Sequence, residues 1–227
     1  MNNPVTGPLY AETDLSRFPV EPWNTYSNIV FFLLVIYWWR KTRIDPQNHQ
    51  LIRTCLPILL LGFVGGTVWH ATRASRLWLM LDYLPIFLAT LTAAVFFWAV
   101  LLRNRPLAAV VVLGSFGLIS LSWQFSGLPF LFKIGLSYST LTAVILLPAL
   151  LLCARDNWRG ATSLFSAIIL ISIAIFMRQI DLTLGHEMLP MGTHFLWHIL
   201  GGIAVYFLIN FIYQTRIETS PFVLKHT

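Results

Sequence analysis

Long apolar runs separated by short polar connections dominate this chain. A helix needs about 20 mostly apolar residues to cross the hydrocarbon core of a bilayer. Seven segments meet that description, near residues 24–41, 52–71, 79–101, 106–123, 137–153, 161–178 and 193–213. In lipid every backbone N–H and C=O must find a partner within the protein, so helices and closed barrels are the only spanning solutions. The expected fold is an all-α membrane protein, a seven-transmembrane-helix bundle. Residues 1–227 read as one integral-membrane domain: a polar N-terminal segment (1–23), the spans (24–213) and a C-terminal tail (214–227). No internal repeat or low-complexity segment is visible. The opening residues, with Pro4, Pro8, Pro19 and Pro22, lack the basic-then-apolar order of a signal peptide.

Composition agrees. Charged residues make up 11% of the chain and mean hydropathy is +0.71, against about 25% charged in a soluble protein. An ordinary soluble enzyme, a disordered chain and a DNA-binding module are excluded. The net charge of +6 does not point to nucleic acid, because the basic residues cluster between the apolar runs, where they orient a polytopic protein. One set of span ends carries Arg40, Lys41, Arg43, Arg53, Arg103, Arg105, Arg155, Arg159, Arg216 and Lys225. The other carries Arg17, Arg73, Arg76, Lys133 and Arg178. The richer set is expected in the cytoplasm, with the N-terminus outside and the C-terminus inside. In a bacterium that membrane is the inner one. Trp38, Trp39, Trp69 and Trp78 fall near expected helix ends, as an interfacial aromatic belt would place them. Cys55 and Cys153 lie in apolar stretches with no metal or disulfide spacing and read as small buried hydrophobes.

Four ionisable residues sit at span ends, where lipid makes them costly unless paired or ligated. His70 closes span 2, Asp82 opens span 3, and His194 and His198 open span 7. The alternating direction of the spans brings all four to one depth near the outer face. His194 and His198 are related as i and i+4, so both imidazoles share a helix face about 6 Å apart along the axis. Two such histidines and a third from another helix make a three-ligand zinc site with a fourth position open, which is the catalytic arrangement. Zinc acidifies bound water to a pKa of about 7, and Asp82 is placed to take a proton or to orient an imidazole. Each residue alone has a plainer reading: a packing pair, an interfacial histidine, a helix cap. His49, His186 and His226 fall in polar connections or ends and read as solvated. Glu12, Asp14 and Glu21 cluster ahead of Trp23 and Asn24. They read either as oxygen ligands for calcium or as a solvated acidic arm.

Three blocks carry a family resemblance. They are Glu21-Pro-Trp-Asn-Thr-Tyr-Ser-Asn28, preceded by Tyr10-Ala-Glu12; Gly62-Phe-Val-Gly-Gly-Thr-Val-Trp-His-Ala-Thr72, leading to Leu81-Asp-Tyr-Leu-Pro-Ile86; and His194-Phe-Leu-Trp-His198. In order and spacing the chain resembles the alkaline ceramidases, within the superfamily of seven-span membrane hydrolases that includes the progestin/adipoQ receptors. The resemblance implies zinc held by His70, His194 and His198, with Asp82 assisting the attacking water. It implies hydrolysis of the amide of a ceramide-like membrane lipid to a sphingoid base and a fatty acid. It also implies calcium bound by the N-terminal segment through Glu12 and Glu21, with Asp14 a further ligand. Two positions depart from the pattern. The family's serine four residues before the first histidine is Gly66 here, with Thr67 about 100° further round the helix, and its acidic residue after the aspartate is Tyr83. A receptor or lipid-binding protein that keeps zinc structurally is the alternative reading. A haem carrier suits histidines one turn apart poorly, a retinal protein lacks a lysine in span 7, and a transporter lacks the repeat.

Overall fold

The structure, a computed structural model, describes residues 7–124, 127, 129–215 and 217. Among them the regular structure is helical: α1 (Pro22–Ser27), α2 (Ile29–Thr42), α3 (Gln50–Thr72), α4 (Arg76–Leu102), α5 (Arg105–Gln124), α6 (Phe130–Arg155), α7 (Ala161–Ile180), α8 (Leu184–Met188) and α9 (His194–Thr215). A 3-10 turn, Gln47–His49, leads into α3. Five helices among the described residues are long and apolar enough to cross a membrane: Gln47–Thr72, Arg76–Leu102, Phe132–Arg155, Ala161–Ile180 and His194–Thr215. The chain is therefore an all-α, multi-pass membrane protein.

The expected spans 24–41 and 106–123 are not among those five. The first is interrupted at Asn28, whose side-chain amide donates back to the Asn24 carbonyl at 2.9 Å. That break leaves α2 only 14 residues, about 21 Å of helix against a hydrocarbon core of about 30 Å. The second lies in α5, where the apolar stretch is the shorter Arg105–Leu121.

Small residues set how closely the helices approach. A Cβ on Gly65 would collide with the Leu81 backbone, and one on Gly202 would lie 2.6 Å from a Val30 methyl. These glycines let α3 meet α4, and α9 meet α2, at backbone distance, as small residues do in membrane bundles. The densest apolar packing gathers Trp38, Leu56, Phe97, Leu164 and Phe211, all essentially inaccessible. They come from the end of α2, the start of α3, the end of α4, the start of α7 and the end of α9. This packing therefore fills the end of the bundle opposite the His70, Asp82 and His194 level.

Three sequence expectations change here. Trp38 and Trp69 are fully buried, so they belong to the interior rather than to an interfacial belt. His49 is buried too, stacked on Tyr213 with ring centroids 4.8 Å apart, and is not solvated. His226 lies outside the described residues. His186 is exposed, and both cysteines are buried thiols outside any disulfide, as expected.

Candidate metal centre

Three helices bring the site together. His70 stands in the last turn of α3, Asp82 in the second turn of α4, and His194 and His198 in the first two turns of α9. The three imidazoles are buried, and each offers a nitrogen within 4.8 Å of the others'. Their ring centroids are 5.4 Å (His70–His194), 5.0 Å (His70–His198) and 4.8 Å (His194–His198) apart. Among the described residues, no other group of three His, Cys, Asp or Glu side chains converges this way.

Hydrogen bonds set which nitrogen is left over. His70 Nδ1 lies 2.5 Å from Glu21 Oε2; a carboxylate accepts, so Nδ1 carries the proton and Nε2 keeps its lone pair. His198 Nδ1 lies 2.8 Å from Ser27 Oγ and 3.2 Å from the Asn24 carbonyl. Ser27 donates its own proton to that same carbonyl. The Nδ1–H of His198 therefore donates as well, again freeing Nε2. His70 Nε2 and His194 Nδ1 have no hydrogen-bond partner although they are buried. An unpaired buried polar group costs about 1–3 kcal/mol, and a cation drawing on these lone pairs would relieve it. Three imidazoles, two of them oriented from behind by oxygen acceptors at Nδ1, fit the donor set of a zinc site with one open position.

Asp82 borders this cluster. Its Oδ2 is 3.9 Å from His70 Nε2. The carboxylate lies against the face of α3 that Gly66 leaves bare: a Cβ there would stand 2.5 Å from Asp82 Oδ1 and 3.0 Å from Asn28 Oδ1. The room a serine would take is thus filled by Asp82 and Asn28. Thr67 does not replace that serine, because α3 stays regular and the Thr67 hydroxyl is buried without a partner.

The N-terminal segment is not a solvated arm, and among the described residues Glu12, Asp14 and Glu21 do not gather into one group of ligands. The segment straps across the site. Val20 N–H donates to the Ala71 carbonyl at 2.9 Å and Glu21 N–H to the His70 carbonyl at 3.1 Å. Tyr10 stacks on His194 with centroids 3.9 Å apart, and burial raises its phenol pKa. Glu12 accepts from the backbone N–H groups of Trp23 (3.0 Å) and Asn24 (2.6 Å) at the start of α1. Burial raises its pKa in spite of them. Glu21 is fully buried and takes bonds from His70, from Thr13 Oγ1 (2.6 Å) and from Arg73 Nη1 (2.6 Å). Burial pushes its pKa up, but those three donors prevail and hold it low. Asp14 is exposed and turned to Ser16, whose bonds lower its pKa.

Asp181 ties the strap to the histidines. Its Oδ1 accepts from the N–H groups of Thr193 (2.7 Å) and His194 (2.8 Å), two of the unpaired donors at the start of α9. Its Oδ2 accepts from Ala11 N–H at 3.0 Å. Gly192, at φ +72°, makes the turn beside it; a side chain there would meet Asp181 and Ala11. The supporting parts played by Glu21, Ser27 and Asp181 escape a reading of the sequence. Glu21 and His70 are 49 residues apart, Ser27 and His198 are 171 apart, and nothing local marks them as partners.

Below the histidines a mostly apolar cavity of about 280 Å³ runs along the inner face of α9. His194, His198, Gly201, Ala204, Val205 and Leu208 line it, a helical stripe about 21 Å long. One bilayer leaflet is about 15 Å of hydrocarbon, so the groove has the length of a long acyl chain.

A buried three-histidine cluster with an adjoining carboxylate, opening on an acyl-length cavity in a multi-pass helical bundle, defines a lipid-directed metallohydrolase of the membrane. A model of the ceramidase family matches residues 12–221, nearly the whole chain, and the chain belongs to that family. No curated protein matches it significantly. It is a ceramidase-family hydrolase acting on a lipid, and its histidine cluster is consistent with zinc-dependent amide hydrolysis.

Proposed function

We propose that His70, His194 and His198 hold one zinc ion and that Asp82 is the proton carrier for hydrolysis of a ceramide-like lipid amide. The observation that carries this is the convergence of three buried imidazoles, each offering a nitrogen within 4.8 Å of the others', with His70 Nε2 unpartnered beside Asp82 and His194 Nδ1 unpartnered as well. Bound there, zinc supplies Lewis acidity toward the amide carbonyl and toward water. The remaining work falls to the chain. The cavity lays the acyl chain along α9 and delivers the amide carbon to the histidine level. Asp82 Oδ2 accepts the proton of the attacking water and returns it to the amide nitrogen as the C–N bond breaks, releasing a free amine and a fatty acid. Glu21 and the Asn24–Ser27 turn hold His70 and His198 in the required tautomer. The Tyr10 strap covers the cluster from the outer end and keeps bulk water away.

In this reading residues 1–227 form one integral-membrane domain of seven spans. Helices α1 and α2 together with α5 supply the two crossings beyond the five long apolar helices. The N-terminus lies outside and the C-terminus in the cytoplasm, in line with the basic-residue count.

The test is elemental mass spectrometry of the detergent-purified chain beside the His194→Ala/His198→Ala double variant, with N-palmitoylsphingosine hydrolysis followed in both. About one zinc per chain, lost with turnover in the variant, is the expected result. Equal zinc in both proteins, or turnover that survives complete metal removal, overturns the proposal.

A further inference from the structure

The cavity below the histidines contains one cation that the hydrolysis of a neutral amide does not use. Among the described residues that line it, Arg178 is the one Lys or Arg. It lies in the last turn of α7, one turn before Asp181. Because Asp181 bonds the first N–H groups of α9, Arg178 is held near the level of His194. Its guanidinium packs over the Tyr138 ring at 4.8 Å, and Tyr138 stands edge-on to Trp197 at 5.0 Å; all three residues line the cavity. The aromatic pair braces the guanidinium at the cavity wall. Among the described residues it forms no ion pair and donates no hydrogen bond. The other charged side chain on the cavity wall, Asp82, is turned to His70 and Gly66. Asp82 on the same wall is near enough to feel its charge but makes no ion pair with it, so the guanidinium keeps donors to offer an incoming group, as charged side chains on substrate paths in membrane proteins do. A planar fork of donors is matched best by a carboxylate. Ceramide itself has only hydroxyls to offer it.

We propose that Arg178 forms an anion subsite in the substrate cavity, and that the preferred lipid carries a carboxylate on the amine side of the scissile amide, as an N-acyl amino acid does. This rests on the hydrolase reading and names its substrate class. The acyl chain lies along α9, the amide reaches the histidine level, and the carboxylate pairs with Arg178 across the cavity. Water adds its oxygen to the acyl carbon, the C–N bond breaks, and one proton passes to nitrogen, giving a fatty acid and a free amino acid.

The experiment compares N-palmitoylglycine, its uncharged amide N-palmitoylglycinamide and N-palmitoylsphingosine, in the zinc-loaded wild type and in Arg178→Gln. The expected result is a kcat/KM for the acid at least tenfold above that for its amide. That ratio falls at least tenfold in Arg178→Gln, mainly through KM, and is partly restored in Arg178→Lys. Metal-free wild type should also gain thermal stability from N-palmitoylglycine, and Arg178→Gln should lose that gain. Hydrolysis of the neutral lipids without preference for the acid, or a ratio unchanged in Arg178→Gln, overturns the anion subsite and leaves the hydrolase standing. A variant that loses only inhibition by palmitic acid also overturns it, assigning Arg178 to the released product. No hydrolysis of any of the three overturns the hydrolase reading itself.

Discussion

Glu21 Oε2 sits 2.5 Å from Nδ1 of His70, and both side chains are closed to solvent. One residue of the N-terminal strap thereby decides which nitrogen of a helix-borne histidine faces the site. The same carboxylate accepts from Arg73 and Thr13, so its position does not depend on a metal being bound.

Glu21→Gln keeps the size of the side chain but removes the charge that fixes the His70 tautomer. Loss of such a partner typically costs 10- to 100-fold in metal affinity. The variant should give up zinc to a competing chelator at about one-tenth or less of the chelator concentration the wild type withstands. Calcium should not restore it, because Glu12, Asp14 and Glu21 are each engaged by different protein donors. An unaltered zinc competition curve would show that Glu21 serves the strap alone.

Gly66→Ser restores the residue that the alkaline ceramidases carry, yet it should harm this chain. Its Cβ would press on Asp82 Oδ1 at 2.5 Å and on Asn28 Oδ1 at 3.0 Å. The carboxylate must move, and a misplacement of about 1 Å can cost around 100-fold in rate. We expect kcat to fall about 10- to 100-fold with zinc content unchanged. A rise in kcat would mean that the bare face of α3 is a defect rather than the seat of Asp82.

Gly201 lines the cavity one turn beyond His198, and a Cβ there meets nothing within 4 Å. Gly201→Leu should plug the groove without disturbing helix packing. Turnover of long-chain amides should fall while that of short-chain amides is kept, so the acyl-length profile moves to shorter chains. A profile that drops evenly at all lengths would place the acyl chain elsewhere.

Asp181→Ala leaves the N–H groups of Ala11, Thr193 and His194 without their acceptor. At about 1–3 kcal/mol for a stranded buried donor, both the melting temperature and the hold on the strap should fall. Limited proteolysis within residues 7–21 should quicken in the variant. Equal cleavage rates would mean that the arm is held by its contacts with α3 alone.

The sequence made the histidine site legible because its elements are local or additive. His194 and His198 announce themselves by their spacing on one helix. His70 and Asp82 stand out because charge at a span end is costly, and alternating spans bring them to one level. The strap was not legible. Glu12 and Glu21 look like a cation site when the partners that take up their oxygens, the α1 backbone, His70 and Arg73, are separated from them in sequence or carry no side-chain signal. Hydropathy equally misses the break at Asn28, because a side-chain amide turning back on the Asn24 carbonyl leaves no trace in an apolar average. Trp38 and Trp69 were misplaced for a related reason: position near a helix end predicts an interface only when the helix end itself is not covered.

The seating of the strap also orders events in the making of the protein. Ala11 and Asp181 are 170 residues apart, and Tyr10 rests on the histidine that opens α9. Val20 and Glu21 can settle on α3 as soon as it is made, but Tyr10 and Ala11 find their seats only once Asp181 and α9 are in place. A chain halted anywhere before α9 has neither the paired histidines nor their cover. The site therefore assembles in one step, with the insertion of α9, and the bilayer around a chain without that helix is safe from it.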